Sequence, residues 1–239
     1  MSTNYTKKCI VNNIKRLGGA MKDEELSLID YKIPETLGQS IYNCLKKAII
    51  ENKIKPNQKI NEKEIADSFK VSRTPVREAL VRLEAEGFTK ITSHRDVVVK
   101  EVSYGELAEF FQVIGILDSL AVSLIADKID PKEIIKVEKM TTKLEHHYNQ
   151  KEIEKFIDMN YAIHDRIWNQ LKNKYLQQSL RQCLSHIKRC NYALISAFNK
   201  KEMLDASIKA HKKISEALKK KDKEKLKQII KEHWNPPLL

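Results

Sequence analysis

The residues best placed to do chemistry stand at the front of one helical stretch, VSRTPVREALVRLEAEGF, from Val71 to Phe88. Arg73, Thr74 and Arg77 crowd its first turn, and Val76, Ala79, Leu80 and Leu83 follow at helical spacing. The apolar stripe would pin such a helix and leave its N-terminal end for a partner. Arginine there can grip a phosphate or pair bidentately with a guanine edge, and threonine can touch phosphate or a thymine methyl. The positive end of the helix adds its own attraction for phosphate. Pro75 is tolerated, because first-turn N–H groups have no partner within the helix. Ser72 stands at the N-cap position. Ser72, Arg73, Thr74 and Arg77 are therefore candidates to bind double-stranded DNA.

The neighbouring elements are those needed to present this helix. Leu37, Ile41, Leu45, Ala48 and Ile49 predict an amphipathic helix from Pro34 to about Glu51. NKIKPNQKI then predicts a turn. Asn61 and Glu64 form a capping-box pattern ahead of Ile65, Ala66 and Phe69, and Lys63 in that first turn is a further DNA candidate. After Gly87, FTKIT and VVVKEV predict two short strands around SHRD, which places His94 and Arg95 in the connection, with Arg95 able to reach phosphate or the floor of a groove. Helix, turn, helix and two-stranded hairpin make a winged helix-turn-helix, whose second helix enters a major groove by its N-terminal residues.

The bulk composition agrees. The chain has 239 residues, 41% apolar and 32% charged, with only six Gly and six Pro, which predicts a mainly α protein with room for a core. A net charge of +12 suits a polyanionic partner. Cys9, Cys44, Cys183 and Cys190 form no CxxC pair, so neither a disulfide framework nor a thiolate zinc site is expected. No apolar run is read as reaching the ~18 residues of a membrane span, and no apolar h-region stands near the start, so no secretory signal is expected. The expected location is the cytoplasm. Residues 1–20 show no clear period and end RLGG before Ala20 and Met21. Leu-Gly-Gly codons can read as a ribosome-binding sequence, so translation is expected to start at Met21; the alternative is a basic arm that touches DNA.

From Ser103 onward the pattern is helical. Ser103 and Glu106 repeat the capping box, and Leu107, Phe110, Phe111, Ile114, Leu117, Leu120, Ala121 and Leu124 predict one long apolar face. Asp130 caps the next helix, with Pro131 at its first position. Further helices are expected over Pro131–Tyr148, Ile153–Leu171, Tyr175–Phe198, Lys201–Leu218 and Lys223–Trp234. The expected organisation is an extension over 1–31, a winged helix-turn-helix with a small β-hairpin wing over 32–102, and an all-α helical region over 103–239.

The stretch INEKEIADSFKVSRTPVREALVRLEAEGF resembles the DNA-binding head of GntR-type bacterial transcription regulators, and the helical remainder resembles the FCD ligand-sensing domain of the FadR subgroup. The resemblance covers about residues 32–235. It implies a homodimeric regulator of a short palindromic operator, controlled by a small-molecule effector. It also implies six or seven antiparallel helices around a cavity that holds a divalent metal, with small organic acids beside it. In that family the metal ligands follow a D-x-x-x-H pattern, with two later histidines about 22 residues apart. Here NYAIH puts Asn160 and His164 at the first pair, and His211 and His233 match the others. A spacing of four places Asn160 and His164 on one helical face. Three imidazoles suit Zn, Ni, Co or Mn with positions open for water or carboxylate. Asn160 stands where Asp is common; its amide oxygen can coordinate but brings no charge. Such domains often carry an Arg facing the cavity from their first helix, where Ile114 stands here, so Arg181 and Arg189 are the substitute effector-binding candidates, with Lys188 a third. In the wing, Asp96 stands where Gly is common.

The expectation is a sequence-specific transcriptional regulator, a repressor, whose operator affinity follows an organic-acid effector. Two other classes are alternatives. A metal-dependent helical enzyme with a DNA-binding appendage would need a general base, yet Asp165 beside His164 points about 100° away on the helix, and no nucleophile elbow, phosphate loop or paired carboxylates occur. A non-specific DNA-binding protein would leave the helical domain without a purpose. The chain is expected not to be an enzyme.

Overall fold

Thr36 accepts a hydrogen bond from the Gln39 amide at 3.2 Å and starts the first helix, α1, Leu37–Ile50. The computed structural model describes residues 36–92, 96–193 and 201–235. The expectations for residues 1–31, for a start at Met21, and for His94 and Arg95 lie outside the described residues. By its contacts the chain divides into two units, Met1–Glu101 and Val102–Leu239.

In the first unit β1 (Lys59–Ile60), α2 (Glu62–Phe69), α3 (Arg73–Ala85), β2 (Thr89–Ile91) and β3 (Val97–Val99) follow α1. Asn61 caps α2 through hydrogen bonds from the Lys63 and Glu64 amides at 2.9 and 3.4 Å, and its own side-chain amide donates to Glu64 at 3.0 Å. Ile41, Leu45, Ile49, Ile65, Val76, Leu80, Leu83, Phe88 and Val99 make the core. Helix α3 buries the whole stripe its spacing predicts, α2 buries Ile65 and Ala66 with Phe69 half-buried, and α1 buries its stripe except Leu37, which is exposed at the first turn. The sheet differs from the expected two-stranded hairpin. It has three antiparallel strands in the order β1-β3-β2, and Lys59 and Ile60 pair with Val98 and Val97. A two-residue strand shows no alternation, which is why NKIKPNQKI reads as a turn.

The second unit holds α4 (Tyr104–Ile125), α5 (Pro131–Asn149), α6 (Ile153–Trp168), α7 (Lys174–Ala193), α8 (Lys201–Lys220) and α9 (Lys223–His233) among the described residues. Ser103 and Asp130 cap α4 and α5 as their patterns predict. Helix α4 packs against α7 and α9, and α5 against α6 and α8. The long apolar face expected on α4 is divided. Leu107, Ile114, Ala121, Val122 and Ile125 are buried, while Val113, Ile116, Leu120 and Leu124 are exposed, Ile116 at 70%. Contrary to the reading that no run suffices, α4 is long and apolar enough to cross a membrane by length and composition alone. Apolar residues on all sides of this one helix, of which the bundle covers only one, give it that character.

Candidate functional site

Two regions carry the predicted chemistry. In the first unit, Ser72, Arg73, Thr74 and Arg77 are all exposed at the N-terminal end of α3, and Lys63 is exposed in the first turn of α2. Val76, Ala79, Leu80 and Leu83 are buried beneath them. Ser72 occupies the N-cap, but its hydroxyl makes no capping hydrogen bond. Between α2 and α3, Lys70 adopts the left-handed conformation at φ 54°, and the Val71 amide returns to the Ala66 carbonyl at 3.0 Å. That tight reversal fixes α3 against α2. Arg77 pairs with Glu62 at 3.0 Å, an exposed contact of little net worth that a phosphate can displace. At the far end of α3, Glu86 accepts from Tyr42 and from Lys46, both at 2.7 Å, and so braces α3 to α1. Asp96, where the wing departs from the family pattern, is neutralised by Lys59 at 2.7 Å.

In the second unit, His164 of α6, His211 of α8 and His233 of α9 converge. One ligand nitrogen from each lies within 4.8 Å of the others. His164 and His233 bring their Nε2 atoms to 3.0 Å, and the three rings stand 4.8–5.0 Å apart by centroid. His211 lies against the Ser207 backbone carbonyl, 2.8 Å from its Nδ1. With Nδ1–H donating there, its Nε2 turns to the cluster as an acceptor, buried and without a hydrogen-bond partner. Burial first, and the neighbouring His164 second, pull the His211 pKa down to about 3. Burial, then His211 and His164, push His233 well below the ordinary imidazole range. Neutral imidazoles with lone pairs aimed at one point are the form in which histidine binds a metal. Asn160 is buried one turn before His164; its Oδ1 accepts from Ser207 Oγ at 2.6 Å, which ties it to the helix that carries His211.

The remaining candidates fall elsewhere. Arg181 is exposed, bound to Asp165 at 2.6 Å and to Asn169, and links α6 to α7 on the surface rather than reaching the histidines. Arg189 is 3% exposed, and burial lowers its pKa. Lys188 pairs with Asp158 at 2.5 Å. His147 pairs with Glu152 at 2.7 Å, and His186 stacks on Phe110 at 4.5 Å.

One residue at the cluster is missed by the sequence patterns. Asp118 of α4, fully buried, accepts from Trp168 Nε1 at 2.6 Å and Trp234 Nε1 at 2.8 Å, and its Oδ2 lies 3.2 Å from His164 Nδ1. The only signal is weak, a carboxylate in the apolar second half of α4, and it does not point to its distant partners.

The comparisons with known proteins match this architecture part by part. Residues 37–99 match the model for bacterial regulatory proteins of the gntR family, and residues 109–235 match the FCD domain. The HTH-type transcriptional regulator YdhC of Bacillus subtilis (strain 168) is 30% identical over 86% of this chain and 92% of its own length. The chain belongs to the GntR family. This GntR-family regulator is also 25% identical to the HTH-type transcriptional regulator McbR of Escherichia coli (strain K12), over 82% of the chain and 89% of McbR. The solved structure of E. coli McbR/YncC superposes with a TM-score of 0.73 at 24% identity, covering 84% of this chain and 95% of that one. These relatives are transcriptional regulators, not enzymes. The chain is accordingly a DNA-binding transcription regulator with a helical FCD domain.

Proposed function

We propose that this GntR-family protein is a homodimeric repressor whose operator affinity is set by an organic-acid effector bound at a metal in the helical unit. The observation that carries the reading is the convergence of His164, His211 and His233, with the buried His211 Nε2 left without a partner. The residues fit a divalent transition metal, Zn, Ni, Co or Mn: three converging imidazoles, with the Asn160 amide oxygen as a fourth donor. When bound, such an ion would supply positive charge and open coordination positions for a carboxylate. The chain's part is to hold α6, α8 and α9 on one point. An effector that fits one arrangement of those helices better shifts the population by its differential affinity. Ser72, Arg73, Thr74, Arg77 and Lys63 contact the operator, with Arg95 reaching from the wing. Among the described residues, Arg189 is the buried member of the substitute candidates, and a guanidinium can pair with an effector carboxylate.

The exposed line of Val113, Ile116, Leu120 and Leu124 on α4 supports the dimer. It spans more than two turns, and a second copy covering it would bury what is otherwise a continuous apolar face in water. Two copies then present two α3 helices to two half-sites. Ile116→Asp should convert the protein to a monomer in sedimentation and weaken operator binding; a dimer that persists unchanged counts against that face.

The first test is the metal content of untagged protein by mass spectrometry, for wild type and His211→Ala. Near-stoichiometric metal that disappears in the variant supports the site. Wild-type protein that takes up none of the four metals after dialysis against each overturns it.

A further inference from the structure

Three imidazoles and a carboxamide would hold a divalent cation without a single anionic ligand. The carboxylates nearest in sequence are engaged elsewhere: Asp158 with Lys188 at 2.5 Å, and Asp165 with Arg181 at 2.6 Å. Asp118 comes from a different helix, is 0% exposed, and stands behind His164 on the side away from the cluster, since His164 Nε2 faces His233 while its Nδ1 faces Asp118 Oδ2. The 3.2 Å separation is within hydrogen-bond range by distance, although the angle lies outside good alignment. Both remaining contacts of the carboxylate are indole N–H groups, each adjacent to the site. Trp168 is one turn beyond His164 on α6, and Trp234 directly follows His233.

We propose that Asp118 is the positioning carboxylate of the three-histidine site, holding the His164 proton on Nδ1 so that Nε2 is presented as a lone pair, and supplying from behind the ring the negative charge that Asn160 lacks. The inference rests on the metal-site reading above. The physical reason is general: a ligating imidazole donates its other N–H to a carboxylate or carbonyl, which fixes tautomer and ring orientation and raises ligand basicity. His211 has such a partner in the Ser207 carbonyl, and the Asp118 carboxylate, 3.2 Å from His164 Nδ1, is the group in range to play that part for His164. The two indoles hold the carboxylate in place without neutralising it, since each donates one hydrogen bond and carries no charge. Through the two indoles Asp118 also joins α4 to α6 and to the end of α9, while its role in ligation is exerted on His164 alone.

The test has two arms. In metal-free wild-type protein, nitrogen-15 NMR of the imidazoles should show neutral His164 with its proton on Nδ1, and Asp118→Asn should lose that preference. A proton on Nε2 in wild type overturns the proposal whether or not the protein binds metal. In the second arm, zinc affinity is measured by chelator competition on wild type, Asp118→Asn and Trp234→Phe, with folding checked by circular dichroism. Loss of a partner of this kind typically weakens metal binding about 10- to 100-fold. Asp118→Asn should show that loss, and Trp234→Phe, which removes an indole donor but leaves the carboxylate beside His164, should stay within about threefold. Equal losses in the two variants would make Asp118 a packing anchor and overturn its role on His164. Wild-type protein that binds no zinc, nickel, cobalt or manganese would instead sink the metal reading, and the tautomer measurement would still decide this one.

Discussion

In the DNA-binding head, Arg73, Thr74 and Arg77 stand in water above a core from which Val76 and Leu80 exclude every charge. In the helical unit, Asp118, His164 and His211 are themselves core, each at most 1% exposed. The contrast separates two uses of stability. The head can change its chemical surface without touching what folds it. The helical unit has placed polar groups where apolar ones would stabilise more, and burial favours the neutral form of His211 and His233. Such a site gives back part of that cost when a ligand occupies it, because anything that binds the folded state alone stabilises it.

The largest expected effect follows directly. Saturating metal, at about a thousandfold over its Kd, should stabilise the wild type by about 4 kcal/mol, or roughly 10 °C in Tm for a chain of this size. His211→Ala should abolish the shift; calorimetry with and without chelator reads both.

Acid should come next and, between pH 7 and 4.5, should strike the helical unit first. With the His211 pKa at about 3 in the folded chain, against about 6.5 when unfolded, the unfolded state binds the extra proton between those values. Stability therefore holds above pH 6.5 and falls as the pH drops toward 3, by about 1.4 kcal/mol per pH unit for each such imidazole. His233 shifts in the same direction and adds to the slope. Urea titrations of metal-free protein from pH 7 to pH 4.5 test this, and a flat profile would mean that the imidazoles are not held neutral.

In the head the losses should appear in binding instead. Arg77→Ala should lower operator affinity roughly ten- to a hundredfold, and leave Tm within a degree or two, since the residue is exposed and its Glu62 contact is a surface pair. Fluorescence anisotropy on operator and scrambled duplexes separates loss of base reading from loss of phosphate contact. The smallest expected effect separates the two caps. Asn61→Ala should cost about 1 kcal/mol, because its side chain satisfies two amides. Ser72→Ala should cost almost nothing, because that hydroxyl caps nothing, and any fall in operator affinity would then belong to a DNA contact.

The same contrast explains what could be read before any coordinates. The head is legible because local signals coincide: capping residues, stripe spacing and first-turn cations all sit within thirty residues. Its third strand escaped because Lys59 and Ile60 take their pairing from Val97 and Val98, almost forty residues on. The histidines were legible only through the family resemblance, since spacing alone joins Asn160 to His164 but cannot reach His211 or His233. Asp118 was not legible, for a physical reason. Its partners Trp168 and Trp234 lie 50 and 116 residues away, and a burial that depends on both indoles leaves no periodic trace. The division of α4 into covered and uncovered sides was hidden likewise, because apolar residues all around a helix do not say which of them a neighbour will cover.

Trp168 and Trp234 are the chain's two tryptophans, and both donate to the same buried carboxylate. Excited where only indole absorbs, the protein's intrinsic emission therefore originates within one hydrogen bond of Asp118. The molecule carries its own optical gauge of the helical unit, with no indole in the DNA-binding head to blur it. A change of emission wavelength on adding a metal or an acid reports on that unit, and operator binding that leaves the spectrum still is binding the unit does not feel.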